Sequence, residues 1–180
     1  AAAIVARPMV ADPSELAEDP RLVVLVNANI HSGECAGKEA LLMTLRELSK
    51  SPEHPWLDDL VLIAIPNLNA DGNERVGAHH RPGQVGPSAG TGQRANAQGL
   101  DLNRDFLKLE APETRALVAL ADAWRADCFF DLHTTNGSRH RYRLTYDIPH
   151  NPASPARVAS YLRTALLPTV TAKLARSGIE

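Results

Sequence analysis

Cysteine is scarce in this chain: Cys35 and Cys128 are the only two, far too distant in sequence to form a CxxC pair. Their spacing excludes a metal knuckle or thioredoxin-type redox motif and sets no compartment. Charge of one sign is also missing, since 19 lysines and arginines against 21 acids leave a formal charge of -2. No basic field argues for nucleic acid, and no lysine or arginine run suggests a membrane surface. Long apolar runs are absent as well; the longest are strand-sized, well short of the roughly 20 residues that span a bilayer. The opening "AAAIVA" is too short for a signal-peptide core and has no positive residue before it. No internal repeat or low-complexity tract is present, and nothing sets an oligomeric state. The chain does not begin with methionine, so it reads as a piece of a longer protein.

What is present is a domain-sized chain of 180 residues, 44% hydrophobic, with enough apolar content for a core. "RLVVLVNANI" (21–30) is a continuous β-branched run that suits a strand buried on both faces of a parallel sheet. "AGKEALLMTLRELSK" (36–50) follows with apolar residues at helical spacing. "LVLIAIPNLN" (60–69) reads as a second buried strand, reached through the Pro-punctuated "SPEHPWLDD". Residues 70–100 are rich in glycine and polar residues and predict a long loop, a length that is usually functional or disordered. "PETRALVALADAWRA" predicts a helix with Pro112 in its first turn, and "DCFFDLH" a third buried strand ending at His133. A short "YRLTYDI" strand and a helix from about Ser154 complete the chain, with Pro168 expected to kink that helix and Gly178 to stop it. Strand and helix alternate as in an α/β fold with a mostly parallel sheet.

Ligands of such sheets bind beyond the carboxyl ends of the strands. His31 lies just past the first strand and His133 ends the third, so the topology brings them to one edge. Glu34, within "HSGE", reaches the same point. Two imidazoles and a carboxylate leave a tetrahedral zinc one open position for water, the pattern of a catalytic rather than a closed structural site. Such a zinc makes its water acidic and polarises a carbonyl. Spacing alone leaves other readings open: HxxE pairs also arise by accident on surfaces, and His133 could be a satisfied histidine at a strand end. Cys35 would fill the water position if it joined, and Cys128 is about 16 Å from His133 along a strand, too remote. His54, His79, His80, His140 and His150 read as solvated.

"GLDLNRDF" (99–106) sharpens the reading. With "HSGE", "NLNADG" and "DLHTTNG" in that order, the sequence resembles the zinc carboxypeptidase family, which includes carboxypeptidases A and B, over roughly residues 22–147. The resemblance implies a three-layer α/β/α sandwich around a mixed, mostly parallel twisted sheet. It implies one zinc ion held by His31, Glu34 and His133, and a substrate carboxylate held by Asn103 and Arg104. A guanidinium fork grips a carboxylate through two charge-assisted hydrogen bonds; the alternative is that Arg104 pairs with Asp101 or Asp105. The family also uses an upstream arginine to stabilise an oxyanion. Arg94 is the choice here, with Arg75 and Arg81 as alternatives. Asn69 and Asp71 read as turn-formers, and Asp101 as a group that could orient a ligand histidine or cap a loop.

The chain departs from the family pattern beyond residue 147. The family's general base is a glutamate on a late strand, preceded by a capping tyrosine, and here only Glu180 and the helical Tyr161 remain. Residues 1–180 therefore read as part of one carboxypeptidase-like domain lacking its C-terminal portion, itself inactive or nearly so. Glu74 and Glu180 are the remaining carboxylates to consider as a base. The hairpin that usually precedes the first-ligand strand is also largely missing. The substrate class is a peptide with a free C-terminus or, in the desuccinylase and aspartoacylase manner, an N-acyl amino acid. A metal-binding module without catalysis is the third reading. The resemblance leans towards a periplasmic or secreted location.

Overall fold

A computed structural model describes residues 1–84 and 86–179, which form two compact units, Ala1–Ser138 and Arg139–Glu180. The first unit holds four strands: β1 (Ala3–Val5), β2 (Leu22–Ala28), β3 (Leu60–Ile65) and β4 (Cys128–Leu132). They lie in the order β1-β3-β2-β4, with β2 parallel to both β3 and β4 and only β1 antiparallel. The helices of this unit are α1 (Ala36–Lys50), α2 (Trp56–Asp59), α3 (Ala70–Glu74) and α4 (Pro112–Ala123). The α/β expectation holds, with a mixed, mostly parallel sheet.

Two apolar clusters show why the layers form. Successive side chains of a strand point to opposite faces, so Val23 and Leu25 of β2 join Val61, Ile63 and Ile65 of β3 on one face. There they pack against Leu117 of α4 and the following Trp124. The alternate residues Ala28, Leu62 and Ala64 meet Leu41 and Leu48 of α1 on the other face. Full burial of such a side chain contributes about 1.5–3 kcal/mol. A third cluster of Ile30, Leu102 and Ala111 seats the "DLNRDF" segment under the end of β2.

Several local details differ from the sequence reading. β3 stops at Ile65, because Pro66 has no N–H to continue the ladder. Asn69 then caps α3, accepting from the Gly72 N–H at 2.9 Å, so the long loop opens with a helical turn. β2 stops at Ala28, ahead of Asn29, which takes a left-handed φ of 59°. β1 and α2 have no strong sequence signal and were not expected. The "YRLTYDI" segment is not a strand; residues 142–148 are bends and irregular backbone, since no neighbouring strand pairs with them.

In the second unit α5 (Ala156–Tyr161) begins after Pro155 with no side-chain cap, so Ser154 does not serve as one. It runs through a π-helical stretch, Leu162–Leu166, into α6 (Leu167–Arg176). Pro168 falls in the first turn of α6, so the missing N–H is absorbed beside a wide π turn. Gly178, at φ 70°, ends α6 in a Schellman arrangement: its N–H reaches Ala175 and that of Ile179 reaches Leu174.

The buried Asp105 fixes the "DLNRDF" segment to the start of α4. Its carboxylate accepts from the N–H groups of Glu110 and Ala111, at 2.9 and 2.8 Å, and from the Thr114 hydroxyl. Leaving buried donors unmet costs about 1–3 kcal/mol. Asp105→Ala should therefore lower the unfolding free energy by about 2–4 kcal/mol, and Asp105→Asn by less, in urea denaturation followed by tryptophan fluorescence. Unchanged stability would show that Asp105 does not hold this segment.

Candidate metal centre

The chain leaves β2 through α1 to reach β3 on one side, and returns through α4 to reach β4 on the other. The carboxyl ends of β2 and β4 therefore flank a topological switch point, where the two crossovers part and leave a crevice. His31 follows β2 and His133 follows β4, so both stand at that crevice.

The "HSGE" turn carries Glu34 to the same place. Its backbone closes with Glu34 N–H on the His31 carbonyl at 3.1 Å, and the Ser32 hydroxyl donates to the Asn69 carbonyl at 3.0 Å. Gly33 takes φ 97°, a left-handed conformation that favours glycine, so the turn itself calls for it. His31, Glu34 and His133 each offer a ligand atom, all within 4.8 Å of one another. His31 Nδ1 and Glu34 Oε1 are 3.2 Å apart, close to the edge of about 3.3 Å that tetrahedral zinc with nitrogen and oxygen ligands requires. His133, the most exposed of the three, completes the group. Two imidazoles and a carboxylate this close are a donor set of the type zinc takes.

Electrostatics prepare each group. Glu34 is 2% exposed, and burial alone pushes its carboxyl up. Hydrogen bonds with His31, Arg81 and the Thr134 N–H outweigh that and hold it at about 2. Asp101 Oδ1 lies 3.0 Å from His31 Nε2, while Arg94 Nη1 lies 3.3 Å from His31 Nδ1. His31 is thus held at both ring nitrogens, with Asp101 facing Nε2 and Glu34 and Arg94 facing Nδ1. Asp101 thus orients the histidine, and its N-capping bond to the Asn103 N–H at 3.0 Å fixes the turn as well. Burial raises its carboxyl, but hydrogen bonds from His31 and Arg94 bring it below the ordinary range.

Arg94 is anchored by Nε on Asp101 at 2.9 Å and faces His31. Asn103 Nδ2 lies 3.2 Å from His133 Nε2. Arg104 is exposed, its Nη1 bonded to the Asn103 carbonyl at 2.8 Å. Neither Asp101 nor Asp105 is its partner: Asp101 is engaged by His31 and Arg94, Asp105 by the start of α4. Arg75 is the C-cap of α3, and its carbonyl is bonded by His80 Nδ1 at 2.9 Å. Among the described residues the group of His, Cys, Asp and Glu side chains able to share a cation is these three alone. His54 is half-buried against Trp56, with ring centroids 5.0 Å apart, rather than solvated. His150 pairs with Asp147 at 2.8 Å. Glu74 is exposed and accepts from Asn73, and Glu180 lies outside the described residues.

Four neighbours of the ligands were not singled out from sequence for the parts they play. Arg81 donates to Glu34, Thr134 donates its N–H to Glu34 Oε2 at 3.0 Å, and Asn27 donates to Asp131 at 2.9 Å. Asp131 Oδ2 lies 3.5 Å from His133 Nδ1, and burial raises its carboxyl against the opposing pull of His133 and Asn27. Asp131 could have been found, since it stands near the end of β4, two residues before His133. Arg81 carries no spacing signal, because an irregular loop delivers it.

The model of the family described as zinc carboxypeptidase matches residues 9–165. Among solved structures, a protein designated carboxypeptidase A from Shewanella denitrificans OS-217 is 25% identical, with a TM-score of 0.53, over 76% of this chain and 32% of its own. A metallo-carboxypeptidase from Pseudomonas aeruginosa, solved with (2-guanidinoethylmercapto)succinic acid, is 26% identical, with a TM-score of 0.50, over 68% and 30%. One designated a carboxypeptidase from Burkholderia mallei shares the fold at 23% identity and a TM-score of 0.51. The chain thus spans about a third of the length of these structures. No curated relative matches it. With ordered motifs, a mixed α/β sheet and a family model matching residues 9–165, the chain belongs to the zinc carboxypeptidase family.

Proposed function

We propose that this chain carries the metal centre and part of the substrate clamp of a zinc-dependent metallocarboxypeptidase. The observation that carries the reading is the convergence of His31, Glu34 and His133 within 4.8 Å at the switch point, with Arg94 and Asn103 each touching a ligand histidine. In this reading the three residues hold one zinc ion. When bound, zinc supplies Lewis acidity to the carbonyl under attack and acidity to the attacking water.

The chain's own residues do the rest. Arg94, fixed by Asp101, offers a guanidinium beside the ligands where charge develops on the carbonyl oxygen. Arg104, braced on the Asn103 carbonyl, presents the fork that holds a C-terminal carboxylate. Asn103 links that clamp to His133, so substrate position and ligand position are coupled. Asp101 and Asp131, the acids beside the histidines, are committed to His31 and Arg94 and to Asn27 and His133. We therefore assign the general base to sequence of the same domain beyond these 180 residues, and expect this chain alone to bind metal without turning over peptide.

Metal binding tests the centre. The chain should bind one zinc per chain in chelator competition, His31→Ala should abolish binding, and Asp101→Ala should weaken it about 10- to 100-fold, the usual cost of losing a ligand's supporting partner. Unchanged binding in His31→Ala would remove the site from consideration. The clamp is tested in the longer parent protein. Arg104→Lys should raise KM about tenfold or more for peptides with a free C-terminus, because a point charge cannot reproduce the fork, and should leave C-terminally blocked amides nearly unaffected. Equal losses in both classes would give Arg104 a structural role. A preference for N-acyl amino acids across the same panel would favour the amidohydrolase reading.

A further inference from the structure

Arg81 does more at this centre than the activity described above requires. Its side chain is 7% exposed, and its Nη2 donates both to Glu34 Oε1 and to Asn136 Oδ1, the latter at 2.8 Å. Its Nη1 is buried with no hydrogen-bond partner. Its backbone sits at φ 51°, a left-handed conformation uncommon for a residue with a long side chain. Such strain persists where the surroundings over-determine it, and here they do. The loop is pressed onto the segment after β4: a Cβ on Gly137 would fall 1.4 Å from the Gly83 carbonyl oxygen, and Gln84 Nε2 donates to the Thr135 carbonyl at 3.2 Å. A buried, strained guanidinium is therefore driven onto the one carboxylate of the candidate ligand set.

We propose that Arg81 is a positioning residue that sets the affinity of the His31–Glu34–His133 group for a divalent cation, acting through Glu34 by sharing its negative charge. The inference rests on the metal-site reading above. Glu34 Oε1 faces His31 Nδ1, so the oxygen Arg81 holds is the one an ion would use. The Thr134 N–H holds Oε2 independently, so the carboxylate stays aimed without a second charge. What Arg81 adds is positive charge, which opposes a divalent ion and leaves any ion bound there less neutralised by its ligands.

The test is the zinc dissociation constant of the 180-residue chain, measured by competition with a fluorescent chelator at fixed pH. Arg81→Gln keeps an amide donor and removes the charge; Arg81→Met removes both; Arg81→Lys keeps the charge alone. Gln and Met should bind zinc about tenfold or more tightly than the parent chain, within the range by which a ligand's partners tune affinity. Lys should stay within about threefold of the parent. Weaker binding in Gln and Met would overturn the proposal and make Arg81 a purely structural support. Should those two fail to fold by circular dichroism, the Lys chain decides: affinity lost tenfold or more would show that the fork, not the charge, matters. A parent chain that binds no zinc would instead bring down the metal-site reading itself.

Discussion

A carboxylate with almost no access to water organises this site. Taking such a charge out of solvent costs several kcal/mol unless partners replace the water. Glu34 finds its partners in three separate pieces of chain: His31 on its own turn, Arg81 in the loop after α3, and the Thr134 N–H just beyond β4. None of these is close to the others in sequence beyond the first pair, so the carboxylate can be satisfied only once the sheet has formed. Folding and assembly of the centre are therefore one event. The arrangement also explains why the Glu34 carboxyl stays ionised despite burial.

The sheet makes that convergence possible through one topological decision. Because β3 and β4 lie on opposite sides of β2, α1 and α4 must cover opposite faces, and the apolar alternation of β2 and β3 supplies both. The crevice that results is polar because its lining comes from loop ends rather than strand interiors. Asn27 and Asn29, both fully buried, mark the transition: Asn27 donates to Asp131, and Asn29 donates to Asn67 and Asn73. These side-chain amides add bonds across the end of the ladder, from β2 to β4 and to the chain after β3.

Much of this was legible in the sequence, for reasons that differ by residue. β2, β3, α1 and α4 announce themselves because a doubly covered parallel strand must be apolar throughout and an amphipathic helix must repeat at its own period. His31 and His133 could be paired in advance because strand ends are the places a parallel sheet offers to ligands. Asp101 was read either as an orienting group or as a loop cap, and it does both, one oxygen serving His31 and the Asn103 N–H. The "YRLTYDI" run misled because alternation describes a surface, while a strand also needs a partner to bond. Arg81 was legible only as an alternative to Arg94. Its position depends on how a long glycine-rich loop closes on the residues after β4, and no local pattern encodes such closure.

That loop deserves to be seen as an electrostatic element rather than a connection. It delivers two guanidinium groups to the candidate ligands, Arg81 onto Glu34 and Arg94 between His31 and Asp101. Glu34 and Asp101 each take one of those cations, while Asp131, its carboxyl raised by burial, accepts from Asn27 and lies beside His133. The two arginines meanwhile hold the buried side close to neutral. On the proposed reading, this pairing limits how firmly the interior would retain a cation. It follows from where the loop is pinned, at Gly83 and Gln84 against the segment after β4, and not from the ligands themselves.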